Sequence, residues 1–172
     1  MPALPRLRPL TLHDVPGLML VQRACYGDGY IESAEVYARR VENSGQCSLV
    51  WEQAGRIGAY LAAYDSVHGK VTPLHGDFEA AHLPDTLYLH DMAVLPELAR
   101  QGLAQALVRS VWAAATARGL VQSALVAVQG SQGFWERQGY TARALEDAHQ
   151  SQQMAAYGAG AVYMVRKLPQ LF

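Results

Sequence analysis

The sequence predicts a mixed α/β (α+β) fold, a central β-sheet flanked by helices on both faces, and three observations lead there. Strand-like and helix-like segments follow one another in the order strand, two helices, hairpin, strand, helix, strand, helix, two strands. Hydrophobic residues make up 51% of the chain and charged residues only 17%, below the roughly 25% of typical soluble proteins, so a packed core is expected rather than disorder. At 172 residues the chain can bury one sizeable core but is short for two, so residues 1–172 are expected to form a single domain.

Arg6 to Leu10 alternates charged and apolar residues like a short strand, and Thr11-Leu12-His13-Asp14 offers a capping box for a helix running to about Tyr26. Gly27 and Gly29 break that helix, and Ser33 can cap a second one that stops near Gly45. Ser48–Glu52 and Arg56–Tyr64, joined by Gln53-Ala54-Gly55, form a hairpin. Asp65 to Asp85 holds two prolines and two glycines without clear periodicity and reads as a long loop or partly ordered insertion. Leu87–Val94 is a strand ended by Pro96, and a helix follows from about Gln101 to Arg118 with Leu103, Leu107, Val111 and Ala114 as its buried stripe. Leu120–Val128 is the next strand and Ser131–Gln138 a short helix closed by Gly139. Tyr140–Leu145 and Ala161–Leu168 read as two closing strands separated by a polar stretch.

Fourteen Lys+Arg against fifteen Asp+Glu leave a net charge of -1, so no global positive field draws nucleic acid or anionic lipid, and neither is expected as a partner. Cys25 and Cys47 lie far apart and show no disulfide-framework spacing, which suits reduced structural thiols. No apolar run approaches the roughly 18 residues that span a bilayer, and Met1–Pro5 lacks a signal-peptide layout. A cytoplasmic protein is expected. His68, His75 and His82 recur every seven residues but lack neighbouring Cys or tight carboxylate spacing, so no metal is expected. Arg39-Arg40 reads as a solvated helix face.

The informative stretch is Val94-Leu95-Pro96-Glu97-Leu98-Ala99-Arg100-Gln101-Gly102-Leu103-Ala104-Gln105, where a strand turns through a small-residue loop into a helix. A helix N-terminus presents unpaired N–H donors and the positive end of its dipole, so these residues predict an anion seat, with Gly102 and Ala104 keeping side chains out of its way.

Val94-x-Pro96 followed by Arg100-Gln101-Gly102-x-Ala104 resembles the GNAT superfamily of acetyltransferases, whose pattern is Arg/Gln-x-x-Gly-x-Gly/Ala after a strand. Phe134-Trp135-Glu136-Arg137-Gln138-Gly139-Tyr140 is similar to the family's second signature, and one helix and one strand separate the two as in that family. The resemblance implies a GNAT-like sheet and acetyl-coenzyme A as acyl donor. It places the cofactor on Met92, Ala93, Val94, Arg100, Gln101, Gly102, Leu103, Ala104, Gln105, Ser131, Phe134 and Trp135. The family's first Arg/Gln falls on Ala99, and Trp135 stands where the family often has a tyrosine that protonates the leaving thiolate. An indole N–H is not acidic enough for that step.

Acetyl transfer to an amine needs a base, a polarised carbonyl and an outlet for the thiolate. The resemblance sets the carbonyl beside a bulge in the strand, near the Met92 N–H. His90 is the first candidate base and Asp91 the second, and Leu89-His90-x-Met92-Ala93-Val94 resembles the arylalkylamine N-acetyltransferase branch, where a histidine here serves as base. Strand alternation sends His90 and Asp91 to opposite faces unless a bulge intervenes. Tyr157, Tyr163 or solvent can replace the missing acid, and Tyr26, Tyr30 and Glu32 are candidates for the acceptor pocket, while Tyr60 and Tyr64 share a strand face that suits the core.

These residues predict transfer of an acetyl group from acetyl-CoA to a primary amine of a small molecule or protein. A homodimer is an open alternative for the assembly. The competing readings are an acyl-CoA-binding regulatory module with little or no turnover, and a nucleotide binder that uses the same glycine turn.

Overall fold

The structure, a computed structural model, describes residues 3–128 and 130–171, so Met1 and Pro2 of the segment read for a signal lie outside it. Strand β1 (Arg6–Pro9) is followed by helices α1 (Val15–Cys25) and α2 (Ala34–Val41), then β2 (Leu49–Gln53), β3 (Arg56–Ser66) and β4 (Thr86–Val94). Helix α3 (Leu103–Ala117), β5 (Gln122–Ala127), α4 (Gln132–Arg137), β6 (Thr141–Ala142), α5 (Ala148–Ala155) and β7 (Val162–Lys167) complete the chain. The seven strands form one mixed sheet in the order β1-β2-β3-β4-β5-β7-β6, in which β4 and β5 are the parallel pair.

Period-2 alternation along β3 divides the core. Ala59, Leu61 and Ala63 pack with Leu107, Val108, Val111 and Ala115 of α3 and with Trp135 of α4. Tyr60 and Ala62 face the other way, onto Val15, Leu18, Met19 and Val21 of α1 and Tyr37 of α2. Helices therefore cover both faces, as expected. The stripe of α3 is rotated by about one residue from the expected one, because Ala115 is buried and Ala114 is exposed.

The expected caps form. Asp14 accepts from the Thr11 N–H at 2.8 Å and closes a short 3-10 turn that leads into α1, and Ser33 Oγ accepts from the Val36 N–H at 3.2 Å. Residues 67–85 form a long loop, one of the two expected forms, with Val71 and Phe78 buried and Phe78 stacked 4.3 Å from the Tyr64 ring. Two expectations need correction. The strand expected over Tyr140–Leu145 shrinks to Thr141–Ala142. The polar stretch after it holds helix α5, whose N-terminus is capped by Asp147 accepting from the Gln150 N–H at 3.0 Å.

Both cysteines are free. Among the described residues no helix is long and apolar enough to cross a membrane.

Candidate active site

The site begins where the parallel pairing stops. β4 and β5 pair from Thr86↔Gln122 to Leu89↔Leu125; beyond that β4 continues on β3 alone, while β5 continues on β7. A split opens between them at the carboxyl ends of the parallel strands, where open α/β sheets bind ligands.

A bulge shapes the β4 wall of this split. Ala62 lies opposite Asp91 and Ala63 opposite Leu89, so His90 is the extra residue, and both His90 and Asp91 turn to the face covered by α1 and α2. Past the bulge the Leu95 N–H donates to Gly58 O at 2.9 Å, which sets the phase of the ladder: Asp91 and Ala93 bond toward β3, and the peptide groups of Met92 and Val94 turn toward the split. Their carbonyls are taken from within the chain, Met92 O by the Tyr26 hydroxyl at 2.6 Å and Val94 O by Cys25 Sγ at 3.2 Å. The Met92 and Val94 N–H groups point the same way as those carbonyls and have no protein acceptor among the described residues.

Further along β4 the chain reaches the turn into α3. Arg100 and Gly102 both have positive φ, 62° and 79°, and Gly102 is the N-cap. That geometry favours glycine, and a Cβ on Gly102 would meet nothing within 4 Å, so open space lies beside it. The first intrahelical bond is Ala106 N–H to Gly102 O at 3.0 Å; ahead of it the Leu103, Ala104 and Gln105 N–H groups have no protein acceptor among the described residues. Arg100 and Gln101 are exposed beside this turn.

A cavity of about 270 Å³ occupies the split. Met92 lines it from β4, Leu125, Val126 and Val128 from β5 and its end, and Ser131, Phe134 and Trp135 from the segment opening α4. Ser131 Oγ accepts from the Val128 N–H at 3.1 Å, which holds that segment against the strand end. Trp135 is 9% exposed and packs edge-on against Phe134 and Tyr140, so it forms a wall. Tyr26, Tyr30, Glu32, Leu74, His90, Asp91 and Tyr157 line the other half of the cavity.

Beneath this half lies a buried charge cluster. Glu32 lines the cavity and is only 1% exposed, so its carboxylate is held inside the protein. Its carboxylate accepts from Arg40 at 2.9 and 2.6 Å through both guanidinium ends, from the His75 N–H at 2.8 Å, and pairs with His90 Nε2 at 2.6 Å. Burial alone would raise the Glu32 pKa, but His90 and Arg40 outweigh it and hold the carboxyl well below the usual carboxylate range. An ionised carboxylate only accepts, so His90 Nε2 carries a hydrogen and Nδ1 is directed at the Tyr157 hydroxyl, 3.3 Å away. The Tyr157 hydroxyl donates its one hydrogen to Thr72 O at 2.6 Å.

Asp91 is held differently. Its Oδ2 accepts from the Tyr37 and Tyr60 hydroxyls, both at 2.5 Å, while Oδ1 has no hydrogen-bond partner among the described residues. Burial first and the Asp91 charge second push the Tyr37, Tyr60 and Tyr26 hydroxyls far above their ordinary value, so all three remain donors.

Sequence reasoning missed Arg40, which is 2% exposed rather than solvated; Arg39 beside it is exposed and pairs with Asp77 at 2.7 Å. Helical spacing carried the signal, since Arg40 follows the buried Val36 and Tyr37 at i+4 and i+3. Leu74 was missed because it sits on a loop without periodicity. Of the two tyrosines considered as acid, Tyr157 lines the cavity, whereas the Tyr163 hydroxyl accepts from the Gly69 N–H at 2.9 Å away from it. Tyr60 and Tyr64 are core residues. Among the described residues no group of His, Cys, Asp and Glu side chains is arranged to hold a metal ion.

Comparison with known proteins places this geometry. The chain shares its fold with the ribosomal-protein-S18-alanine N-acetyltransferase of Escherichia coli, at TM-score 0.72 and 15% identity over 98% of this chain and 97% of that one. PaiA N-acetyltransferase of Thermoplasma acidophilum, solved with coenzyme A, matches at TM-score 0.67 and 14% identity over 95% and 99%. The GphF GNAT-like decarboxylase, solved with isobutyryl-CoA, matches at TM-score 0.70 and 19% identity over 95% and 100%. No curated protein matches the chain by sequence. The profile of the acetyltransferase (GNAT) family matches residues 16–140, from the start of α1 through both signatures to Tyr140. The chain belongs to the acetyltransferase (GNAT) family.

Proposed function

We propose that this protein is an acetyl-CoA-dependent N-acetyltransferase that moves an acetyl group onto a primary amine, with residues 1–172 as its one domain. The observation that carries the reading is the split between β4 and β5, with the Met92 and Val94 peptide groups turned into it and a free helix N-terminus at its end. A pantetheine arm lies along those peptide groups as an added strand, and the pyrophosphate sits on the Leu103–Gln105 N–H groups. Gly102 and Ala104 give it room, Arg100 and Gln101 flank it, and the Ser131–Trp135 wall closes over the arm.

In this reading the acetyl carbonyl accepts from the Met92 N–H, where negative charge develops on oxygen. The neutral amine attacks the carbonyl carbon, the C–N bond forms, and the C–S bond breaks with its electron pair leaving on the thiolate. The proton shed by the amine passes to His90 Nδ1 through the Tyr157 hydroxyl, which turns its own hydrogen from Thr72 O to Nδ1 as it accepts the amine's, and Glu32 stabilises the resulting imidazolium. Asp91, fixed by its two tyrosine donors, attracts the acceptor's ammonium group into the cavity. Burial, followed by neighbouring charges, pushes the Tyr157 hydroxyl far above its ordinary value, which suits relay of a proton and opposes full donation to a thiolate. The thiolate therefore leaves unprotonated and is neutralised in solvent.

The test is stoichiometry. Purified protein with acetyl-CoA and a broad amine panel should release free coenzyme A and acetylated amine in equal amounts. Binding of acetyl-CoA without either product would favour a regulatory acyl-CoA module, and ATP competing as well as coenzyme A would favour a nucleotide site.

A further inference from the structure

The acceptor half of the cavity is bordered by three segments, and each pair of them is tied together. The α1–α2 connection reaches the end of α5 through the Tyr30 hydroxyl, which donates to Tyr157 O at 2.7 Å. The α5 region holds the 67–85 loop through Gln150 Oε1, which accepts from the Val71 N–H at 2.7 Å, and through the Tyr157 hydroxyl on Thr72 O at 2.6 Å. The 67–85 loop returns to the first segment through the His75 N–H on Glu32 and through Arg40, which donates to Pro73 O at 3.2 Å and Gly76 O at 2.6 Å. These ties make a closed rim, so a polypeptide cannot lie across the site as an added strand and an acceptor must enter end-on into the space inside.

The space inside is small. The whole cavity is about 270 Å³, below the roughly 300–1,000 Å³ of common small-ligand pockets, and the thioester must share it. Its charge is also one-sided. Among the described residues that line it there is no Lys or Arg; Asp91 is one of them, and His90 is committed to Glu32. No cationic side chain among the described lining residues pairs with a carboxylate on the acceptor.

We infer that the tied ring makes the acceptor site a blind pocket for a compact amine without a carboxylate, and that Tyr30 is the residue that excludes a polypeptide. This rests on the amine-acetylation reading, so the test separates binding from turnover. Ligand-observed NMR on the coenzyme A-loaded protein compares pentylamine, norleucine, which is pentylamine with an added α-carboxylate, and a dodecapeptide with a free N-terminus. Pentylamine should bind at least about 100-fold more tightly than either of the others. Tyr30→Phe removes the bridge but keeps the ring, and Tyr30→Ala opens the wall; the peptide should gain at least about tenfold in affinity in the second variant and less in the first. Peptide or norleucine binding to the wild type as tightly as pentylamine, failure of all three to bind, or no gain on opening Tyr30 would overturn the inference. Pentylamine that binds but is never acetylated would instead sink the transfer reading and leave the blind pocket standing.

Discussion

Replacing Arg40 with leucine removes the cation that neutralises Glu32 inside the protein. The Arg40 side chain is 1% exposed and that of Glu32 2%, so water cannot take over the role. The change also strands the Pro73 and Gly76 carbonyls that the guanidinium holds. Breaking one side of a buried pair costs about 3–5 kcal/mol, a large share of the roughly 5–15 kcal/mol that a domain has. For a chain of this length each kcal/mol moves the midpoint by about 2–4 °C, so thermal unfolding of Arg40→Leu should fall by about 6–20 °C. Arg39→Leu is the control: it is one residue away, and its pair with Asp77 is more than half exposed on both sides, worth less than about 1 kcal/mol. Circular dichroism melts of the two variants beside wild type at neutral pH make the comparison. An Arg40 variant within about 2 °C of wild type, or indistinguishable from the Arg39 variant, would refute the buried cluster as described.

Gly102→Glu puts a left-handed φ on a residue with a Cβ, at about 1–2 kcal/mol, with no steric clash; a negative charge at about 4 Å from a phosphate adds about 4 kcal/mol of repulsion. Calorimetry should therefore show coenzyme A affinity reduced by about a thousandfold in a folded protein, and unchanged affinity would remove the turn as the pyrophosphate seat. His90→Gln should lower kcat by about 10²–10⁴ with the KM for acetyl-CoA preserved, and the deficit should shrink as pH rises and the amine deprotonates in solution; an unaltered pH–rate profile would exclude His90 as the proton acceptor. The Glu32 pKa is depressed in the folded state, so the carboxylate contributes stability above its ordinary value of about 4.5, and that contribution is lost as pH falls below it. Melting profiles between neutral pH and pH about 3 should fall more steeply for wild type than for Glu32→Gln, and parallel profiles would contradict the assignment.

Much of this was legible in the sequence wherever a local rule applied. Period-2 alternation gave β3 its two faces, Ser33 announced α2, and the Arg100–Ala104 turn marked a helix start before any fold was known. The resemblance implied a bulge in this strand, but its place at His90 was not legible, because one extra residue in a ladder is defined by the partner strand. Its effect is chemical: it brings His90 and Asp91 to one face, where simple alternation separates them. Arg40 was misread because the loop whose carbonyls bury it lies 33 and 36 residues further along, and nothing local shows that Glu32, eight residues back, is turned inward to meet it. Helix α5 lacked a signal for the opposite reason: it buries none of its residues fully, so no apolar stripe marks it, and its start rests on Asp147 alone.

The central claim is that an acyl-CoA thioester lies in the split between β4 and β5 and uses the free N–H groups there. Backbone amide hydrogen exchange, resolved residue by residue with and without coenzyme A, tests it most directly. The account predicts new protection at Met92 and Val94 on β4 and at Leu103, Ala104 and Gln105 at the start of α3, with the amides of β1 and β2 unaffected. Coenzyme A binding that leaves those five amides exchanging as before, and protects another surface, would contradict it.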